Sequence, residues 1–462
     1  MSQDLRTFLD SIDRSGQLLR VAKEVDPKTE MAALAWQVPA EKAALFEKLK
    51  GFPGWRSCVG MVDTRERVAG VLKVPVERLL EEYARLLDLK PTKCSVVNDG
   101  PVKEIILKGD DADLSALPVM RYCQRDAGPY LTLSELITVN PDTGFYNAAI
   151  LRMQIKGKRK TGTYMLRGRH SWENYLKYEA RNEAMPVAIV IGHHPAFHMI
   201  GSWSGPYDAD EFELVGTLLG EPLRLVQAET IDLKVPADAE VIIEGEILPK
   251  YREEEGPFAE FTSYYCAAGK EPVINVKAIT RRKDPIYEFS AQWYRAHACL
   301  GIEHYLYNRI KEVEGHIDLH DVRIYSEVDS YMVVIQFTPH YEGQAKNVLL
   351  AALSGTTLHP KIAVAVDEDV DVSSLADIWW AVANRTHPKR DVFIVDGTRN
   401  HPFDLKLPLA QDTDILQRVG SKMGIDATKP PTSKPDIRKA FDRARPVGWQ
   451  KVKLADYLGP KT

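Results

Sequence analysis

Apolar and polar positions follow three successive rhythms along the chain. Over the first hundred residues, helical spacing alternates with short apolar runs. Leu5 to Ser15 and Val76 to Leu87 carry apolar residues at three- and four-residue intervals, the second with Val76, Leu79, Leu80 and Tyr83 on one stripe. Ser57 to Val62 reads as a strand, so this part is expected to be a small α/β unit. From about Val102 the pattern becomes one of many short strands: Glu104–Leu107, Leu131–Asn140, Phe145–Lys156, Gly162–Leu166, Val187–Gly192, Glu240–Leu248 and Val273–Arg281. The turns between them are rich in Gly, Pro and Asp, as in Asn140-Pro-Asp-Thr-Gly144, and strands so spaced predict a sheet closed into a barrel or folded on itself. One helix interrupts them, Ser171 to Arg181, with Ser171 as its N-cap.

A helical stretch, Ala296 to Val313, leaves the strand-rich region. Strand Tyr331–Thr338, helix Gly343–Leu353, strand Ile362–Val366, helix Leu375–Asn384 and strand Val392–Val395 then form a β-α-β-α-β series, read as a third, α/β domain. The tail from Thr428 is rich in Pro and Lys and ends in a short amphipathic piece, Ile437 to Ala444, expected to dock as an arm. The fold class is therefore α/β (α+β), with expected boundaries at 1–103, 104–295, a linking helix at 296–325, and 326–462.

Composition narrows the function. A chain of 462 residues, 44% hydrophobic and 27% charged, has the make-up of a multidomain globular protein. Its net charge of −5 is small, and no Lys/Arg block is interleaved with aromatics, so neither nucleic acid nor an anionic membrane is an expected partner. No apolar run of membrane-spanning length occurs, and the N-terminus lacks a signal-like apolar stretch. The five cysteines (Cys58, Cys94, Cys123, Cys266, Cys299) are scattered and form no C-x-x-C. A reduced, cytoplasmic protein is expected. There is no G-x-G-x-x-G after a strand, no P-loop, no G-x-S-x-G and no H-E-x-x-H.

The most informative local feature is Glu253 to Tyr265, E-E-E-G-P-F-A-E-F-T-S-Y-Y. Glu255 and Glu260 are five apart, a spacing that shares a face of neither a regular strand nor a helix. The Gly256-Pro257 step allows a bend that aims both carboxylates into one cleft. A solvated acidic loop is the plainer alternative, but Phe258, Phe261, Tyr264 and Tyr265 are too apolar for a surface tip. Asn147 and Arg152 lie within the apolar run Phe145–Gln154 and need partners if buried; a buried salt bridge with no further role is the alternative. His170, in Arg167-Gly-Arg-His-Ser171, precedes a helix N-terminus, and the arginines beside it suit a phosphate or carboxylate, although alone the motif favours a structural or surface histidine. Asp208 to Gly216 is an acidic cluster opening an apolar helix. Capping explains it by default, yet an Asn, a His and a Glu also suit Mg²⁺ or Mn²⁺ with phosphate oxygens. In His193-His194-Pro-Ala-Phe-His198, Pro195 breaks the spacing that a metal site would use.

Y-N-x-x-x-x-R, then R-H, then D-E-x-x-x-x-G-x-L-x-G-E-P, then E-G-P-x-x-E, resembles the UbiD family of decarboxylases that use prenylated FMN. The likeness extends to Val366-Asp-Glu-Asp-Val-Asp371, Trp380-Ala-Val-Ala-Asn-Arg385 and Asp426-Ala-Thr-Lys-Pro430. The resemblance implies an N-terminal α/β domain, a central flavin-binding split β-barrel, and a C-terminal α/β domain used in oligomerisation, as a homodimer or homohexamer. It implies reversible loss of CO2 from an aromatic, heteroaromatic or α,β-unsaturated acid, with the flavin as electron sink. A UbiX-like flavin prenyltransferase would supply the cofactor.

Carried over by position, the catalytic set is Arg152, Glu255 and Glu260. Arg152 holds the substrate carboxylate and keeps Glu255 ionised, while Glu260 is the proton donor, its pKa raised among aromatic rings. Asn147, His170 and Glu211 take the Mn²⁺ (or Mg²⁺) that grips the cofactor phosphate, with Glu213 as the competitor of Glu211. Ile150, Leu151, Arg169, Ser202 and Trp203 line the cofactor, and Gly201-Ser202-Trp203 is the loop that helps bind K⁺. Arg399 stands where some relatives have a cofactor-contacting lysine, a replacement that alters donor geometry. Asn147 and Arg152 would fall on opposite faces of one strand. The expectation is that Asn147 sits at an irregular strand start after Gly144, in preference to a bulge.

Substrate walls are expected from Gln292-Trp-Tyr-Arg295, His297 and Asn400-His-Pro-Phe403. Trp203, Trp293, Tyr294 and Phe403 suggest a flat slot, and Gln292, Arg295, His297 and His401 favour a heteroaromatic or hydroxylated aromatic acid. The rival readings are an FMN-dependent oxidoreductase on a split barrel and an accessory subunit of a multi-subunit carboxylase.

Overall fold

Local sequence chemistry starts the helices where their spacing predicts. Leu5–Arg14 opens on a reciprocal capping box, in which Asp4 accepts from the Thr7 amide and the Thr7 hydroxyl accepts from the Asp4 amide. Glu211–Leu219 is capped by Asp210, whose side chain accepts from the amides of Phe212 and Glu213, and it ends at Gly220 with φ +72°, a left-handed position that glycine adopts without strain. In this computed structural model, residues 3–291, 296–328, 330–355, 358–407, 419–449 and 451–457 are described.

Three sheets organise the chain. A four-stranded sheet holds Leu18–Val21, Ala43–Phe46, Arg56–Val59 and, parallel to the last, Ile286–Phe289, so the central region returns a strand to the N-terminal one. A nine-stranded sheet is built on the long hairpin of Val241–Glu255 and Gly269–Arg281. Its path runs Tyr130–Leu131, Met153–Gly157, Lys160–Thr163, Gly269–Arg281, Val241–Glu255, Met185–Ile191, Glu135–Val139, Tyr146–Ile150, and the ninth strand, Ile105–Lys108, pairs off this path with Gly269–Arg281.

Strand Tyr146–Ile150 closes one end of that path and Met153–Gly157 lies one strand in from the other, yet only Leu151 and Arg152 join them. Three Cα steps cover at most roughly 11 Å. The sheet must therefore curl until its ends almost meet, and the split barrel follows from this short connection.

In the C-terminal region the order is Asp318–Ile324, Met332–Thr338, Ile362–Val366, Val419–Ala427, Val392–Arg399. The three central strands are parallel and both outer ones antiparallel to their neighbours. Helix Ala296–Val313, with the bounds its spacing predicts, contacts helices Arg65–Leu72, Leu79–Leu87, Ala196–Gly201 and Gln344–Leu353. One apolar core runs through all three regions, with Leu5 and Phe8, Ile137 and Val190, and Ile335 and Phe337 in a single cluster.

The structure corrects several expectations. The run Phe145–Lys156 is two strands, because the chain changes partners at Leu151-Arg152. Asn147 is thus a regular member of its strand, opposite Thr138, and its separation from Arg152 arises from the strand break. The helix expected at Ser171–Arg181 is His170–Ala180 with Arg169 as N-cap. The strand expected at Gly162–Leu166 is Lys160–Thr163, shifted toward the turn that pairs it with Met153–Gly157. Val392–Arg399 does not extend the parallel series but folds back antiparallel on Val419–Ala427, a strand whose mixed Gly, Ser and Lys content hid it. Tyr264 is 61% exposed, so the ribbon tip tolerates one aromatic that was expected inside.

Candidate active site

A cavity of about 280 Å³ opens where the curled sheet fails to close, lined by the break segment Asn147 to Arg152 and by residues of the C-terminal region. Arg152 lies between strands, free of the alternation that a regular strand would impose, and its side chain turns into the cleft. It is buried, and three rings wall its guanidinium: Tyr164 at 4.4 Å, Phe258 at 5.2 Å and Phe403 at 5.7 Å from Cζ to centroid.

The acidic turn supplies both partners of that arginine. Strand Val241–Glu255 ends at Glu255; Gly256, at φ +90°, turns the chain, and Phe258–Ala259 pairs with Tyr265–Cys266 as a two-stranded ribbon. Asp126 fixes the ribbon by accepting from the Ala259 amide at 2.9 Å. Glu255 receives a two-pronged pair from Arg152, Nε to Oε1 at 3.0 Å and Nη2 to Oε2 at 2.6 Å. The remaining Nη1 donates to Glu260 Oε1. One cation thus serves two carboxylates, Glu255 buried and Glu260 largely so. Burial pushes the Glu260 carboxyl above the usual range, and Arg152 only partly pulls it back.

At the other end of the cavity three polar residues meet. Asn147 donates from Nδ2 to Ser171 Oγ at 2.9 Å, a bond that engages its amide nitrogen and not its amide oxygen. His170 is the first residue of helix His170–Ala180, and its Nδ1 is 3.3 Å from Glu211 Oε1. Glu211 Oε2 accepts from the Ala148 amide at 2.6 Å, and burial raises its pKa. Glu213 instead faces outward to Lys93 at 2.7 Å. Of the two glutamates, Glu211 is the one inside.

Ile150, Leu151, Arg169, Ser202 and Trp203 also line the cavity. Trp203 Nε1 is buried without a hydrogen-bond partner among the described residues. Arg399 is not among the lining residues; it is exposed, and its guanidinium reaches the Arg167 carbonyl at 3.4 Å. Of the expected substrate walls, His297, His401 and Phe403 line the cavity, whereas Gln292, Trp293, Tyr294 and Arg295 lie outside the described residues.

Sequence reasoning missed Tyr164 and His359. The ring of His359 lies 4.6 Å from that of His401, and Phe261 packs on both. Nothing in the local pattern around Tyr164 or His359 marks either residue. Burial keeps these imidazoles neutral: the pKa values of His297 and His359 fall to about 3, and that of His401 goes well below its ordinary value.

Comparison with known proteins agrees along the whole chain. Three domain families match in order: the 3-octaprenyl-4-hydroxybenzoate carboxy-lyase N-terminal domain at residues 9–87, its Rift-related domain at 95–293, and its C-terminal domain at 297–427. The phenolic acid decarboxylase of Bacillus subtilis (strain 168) is 32% identical over 450 residues, covering 93% of each chain. The UbiD-class enzyme HmfF from Pelotomaculum thermopropionicum, solved in complex with FMN, superposes with a TM-score of 0.90 at 36% identity, over 99% of this chain and 100% of its own. An evolved dimeric form of that enzyme, in complex with prFMN, gives 0.87 at 35% identity over the same shares. With the three domain matches, the end-to-end relatives and the superposition in agreement, the chain belongs to the UbiD family of carboxy-lyases.

Proposed function

We propose that the protein is a reversible, non-oxidative decarboxylase of an aromatic, heteroaromatic or α,β-unsaturated carboxylic acid that works with prenylated FMN. The observation that carries this reading is the single buried guanidinium of Arg152 between Glu255 and Glu260 at the cleft. Bound there, the prenylated flavin would supply an electron sink for the pair of electrons that the departing CO2 leaves behind.

The residues present fit such a group. Asn147, His170 and Glu211 offer an amide oxygen, an imidazole and a carboxylate for Mn²⁺ or Mg²⁺, a donor set suited to a hard ion shared with phosphate oxygens. The N-terminus of helix His170–Ala180 and the adjacent Arg169 favour an anion at the same end. Trp203 Nε1, without a partner among the described residues, offers a donor to a polar edge, and the carbonyls around Gly201-Ser202-Trp203 suit K⁺.

Arg152 orients the substrate carboxylate and, by its two-pronged grip, keeps Glu255 in place. Glu260, whose raised pKa favours the protonated form, delivers the proton that replaces CO2 on carbon. Tyr164, Phe258 and Phe403 wall the Arg152 guanidinium with apolar rings on the substrate side. His297, His359 and His401, all neutral, present polar atoms without charge, which favours a heteroaromatic or hydroxylated ring. A homodimer or homohexamer, and a UbiX-like prenyltransferase as cofactor supplier, complete the proposal.

The test is mass spectrometry of the cofactor released from the purified protein, combined with CO2 release from a panel of aromatic acids. Prenylated FMN together with CO2 release supports the reading. Ordinary FMN with hydride transfer from NAD(P)H would establish the oxidoreductase instead.

A further inference from the structure

A second cavity, of about 300 Å³, lies behind the first. The two share Tyr164, Glu260 and Phe403, so Glu260 faces both. The outer wall of the second includes Tyr264, Ala267, Ala268 and Lys270, all exposed, which opens it toward solvent. Its inner wall holds Glu271, only 4% exposed. Glu271 Oε1 accepts from Arg167 Nη1 at 2.9 Å, while Oε2 is buried with no hydrogen-bond partner among the described residues. The Tyr164 hydroxyl, on the shared wall, is likewise buried without a partner. The reaction proposed above gives neither residue's free atom a task.

We propose that this second cavity is the route by which protons reach Glu260 from solvent, with Glu271 as the relay residue; the inference rests on the proton-donor reading of Glu260. Decarboxylation consumes one proton per turnover: the bond to the carboxylate breaks, CO2 departs, and the substrate carbon takes the proton of the Glu260 carboxyl. Glu260 is then an anion, and a further proton must arrive before the next cycle. The first cavity cannot deliver it while substrate fills the cleft. The second can: liquid water occupies ~30 Å³ per molecule, so several fit between solvent and Glu260. The free Oε2 of Glu271 takes a proton from that water and passes it on through water or the Tyr164 hydroxyl. In the carboxylation direction the same path runs outward. The charges facing Glu271 are Arg167, Arg152 and Glu255, and burial holds its carboxyl above the usual range, as it does for Glu260. Burial thus favours the protonated form of both the donor and the relay.

Two variants test this in the cofactor-loaded protein. Glu271→Gln removes the relay, and Ala268→Phe plugs the mouth while leaving the Glu271–Arg167 pair intact. Both are expected to keep the first-turnover rate of CO2 release within twofold and to slow later turnovers about tenfold, with a larger solvent isotope effect. Glu271→Asp should restore part of the rate. A readout independent of turnover is the infrared carbonyl band of the protonated Glu260 carboxyl, identified as the band lost in Glu260→Gln. Its shift on mixing with D2O should slow at least tenfold in both variants. Exchange and steady-state rates within twofold of the parent in both variants would overturn the route. So would a slow Glu271→Gln beside an unaltered Ala268→Phe, which would leave Glu271 a purely structural anchor for Arg167. A parent that releases no CO2 from any acid would sink the decarboxylase reading instead, while the band shift still reports on the route.

Discussion

Two acidic runs in this chain look alike on paper and behave in opposite ways. Glu253 to Glu260 presents Glu255 and Glu260 to one arginine, Arg152, in a cleft. Asp367-Glu368-Asp369 meets an equal number of cations: Arg438 reaches Asp367 and Glu368, Lys429 lies 3.2 Å from Glu368, and Arg385 pairs with Asp369 at 2.7 Å. The second run is a clamp. It holds the C-terminal tail, helped by Arg443, which pairs with Asp377 at 2.6 Å and lies over the Trp380 ring. The first leaves one carboxylate in excess, and that excess is what acid/base chemistry needs. The number of cations per buried carboxylate, more than acidity itself, separates a site from a strut.

The largest expected effect lies on the excess carboxylate. Glu260→Gln in loaded protein should lower CO2 release and proton exchange into substrate by about 10²–10⁴-fold, the usual worth of a positioned general acid; full retention of either activity would exclude the donor role. The same carboxyl sets a pH limit. Its folded-state pKa is raised and the protonated form is the active one, so the decarboxylation rate should fall as pH rises through that pKa. A rate that instead climbs steadily with pH would reverse the assignment of acid and base.

Next comes the cation. Arg152→Met strands two buried carboxylates and should cost about 3–5 kcal/mol in urea unfolding, whereas Arg438→Met, whose partner Asp367 keeps the Lys429 amide, should cost only ~1–3 kcal/mol. Equal losses would erase the distinction between the two runs.

A smaller contrast separates Glu211 from Glu213. Glu211→Gln should weaken metal-dependent retention of the cofactor about 10–100-fold; Glu213→Gln removes an exposed pair with Lys93 and should change stability by less than about 1 kcal/mol, with cofactor retained.

The smallest effect is on the clamp's pH response. Its own amide and Lys429 outweigh burial and hold Glu368 down to about 2. Its share of tail docking is therefore present above the ordinary glutamate range and is lost as pH falls toward 2, which limited proteolysis of the tail would follow.

Much of this was legible in the chain. The bounds of Ala296–Val313 and Ile362–Val366, the bend at Gly256 and the capped helix after Asp210 all rest on local period, turn chemistry or capping, which operate over a few residues. The strand break at Leu151-Arg152 was hidden, because Phe145 to Lys156 is one largely apolar run with no Gly or Pro in it; only the need to cross between the two sides of the sheet interrupts it. Tyr164 and His359 were hidden for a similar reason: each is one aromatic among many until folding brings it to the cleft.

Order, periodicity and bends were thus set locally, along with the residue types from which a site can be built. Pairing was not. Arg152 meets a glutamate 103 positions away and Arg438 an aspartate 71 positions away. Desolvation, which makes such pairs strong and an excess carboxylate reactive, depends on what surrounds a group in space. Whether an acidic run became a clamp or a proton donor was therefore settled only when the sheet curled and the C-terminal region closed over it.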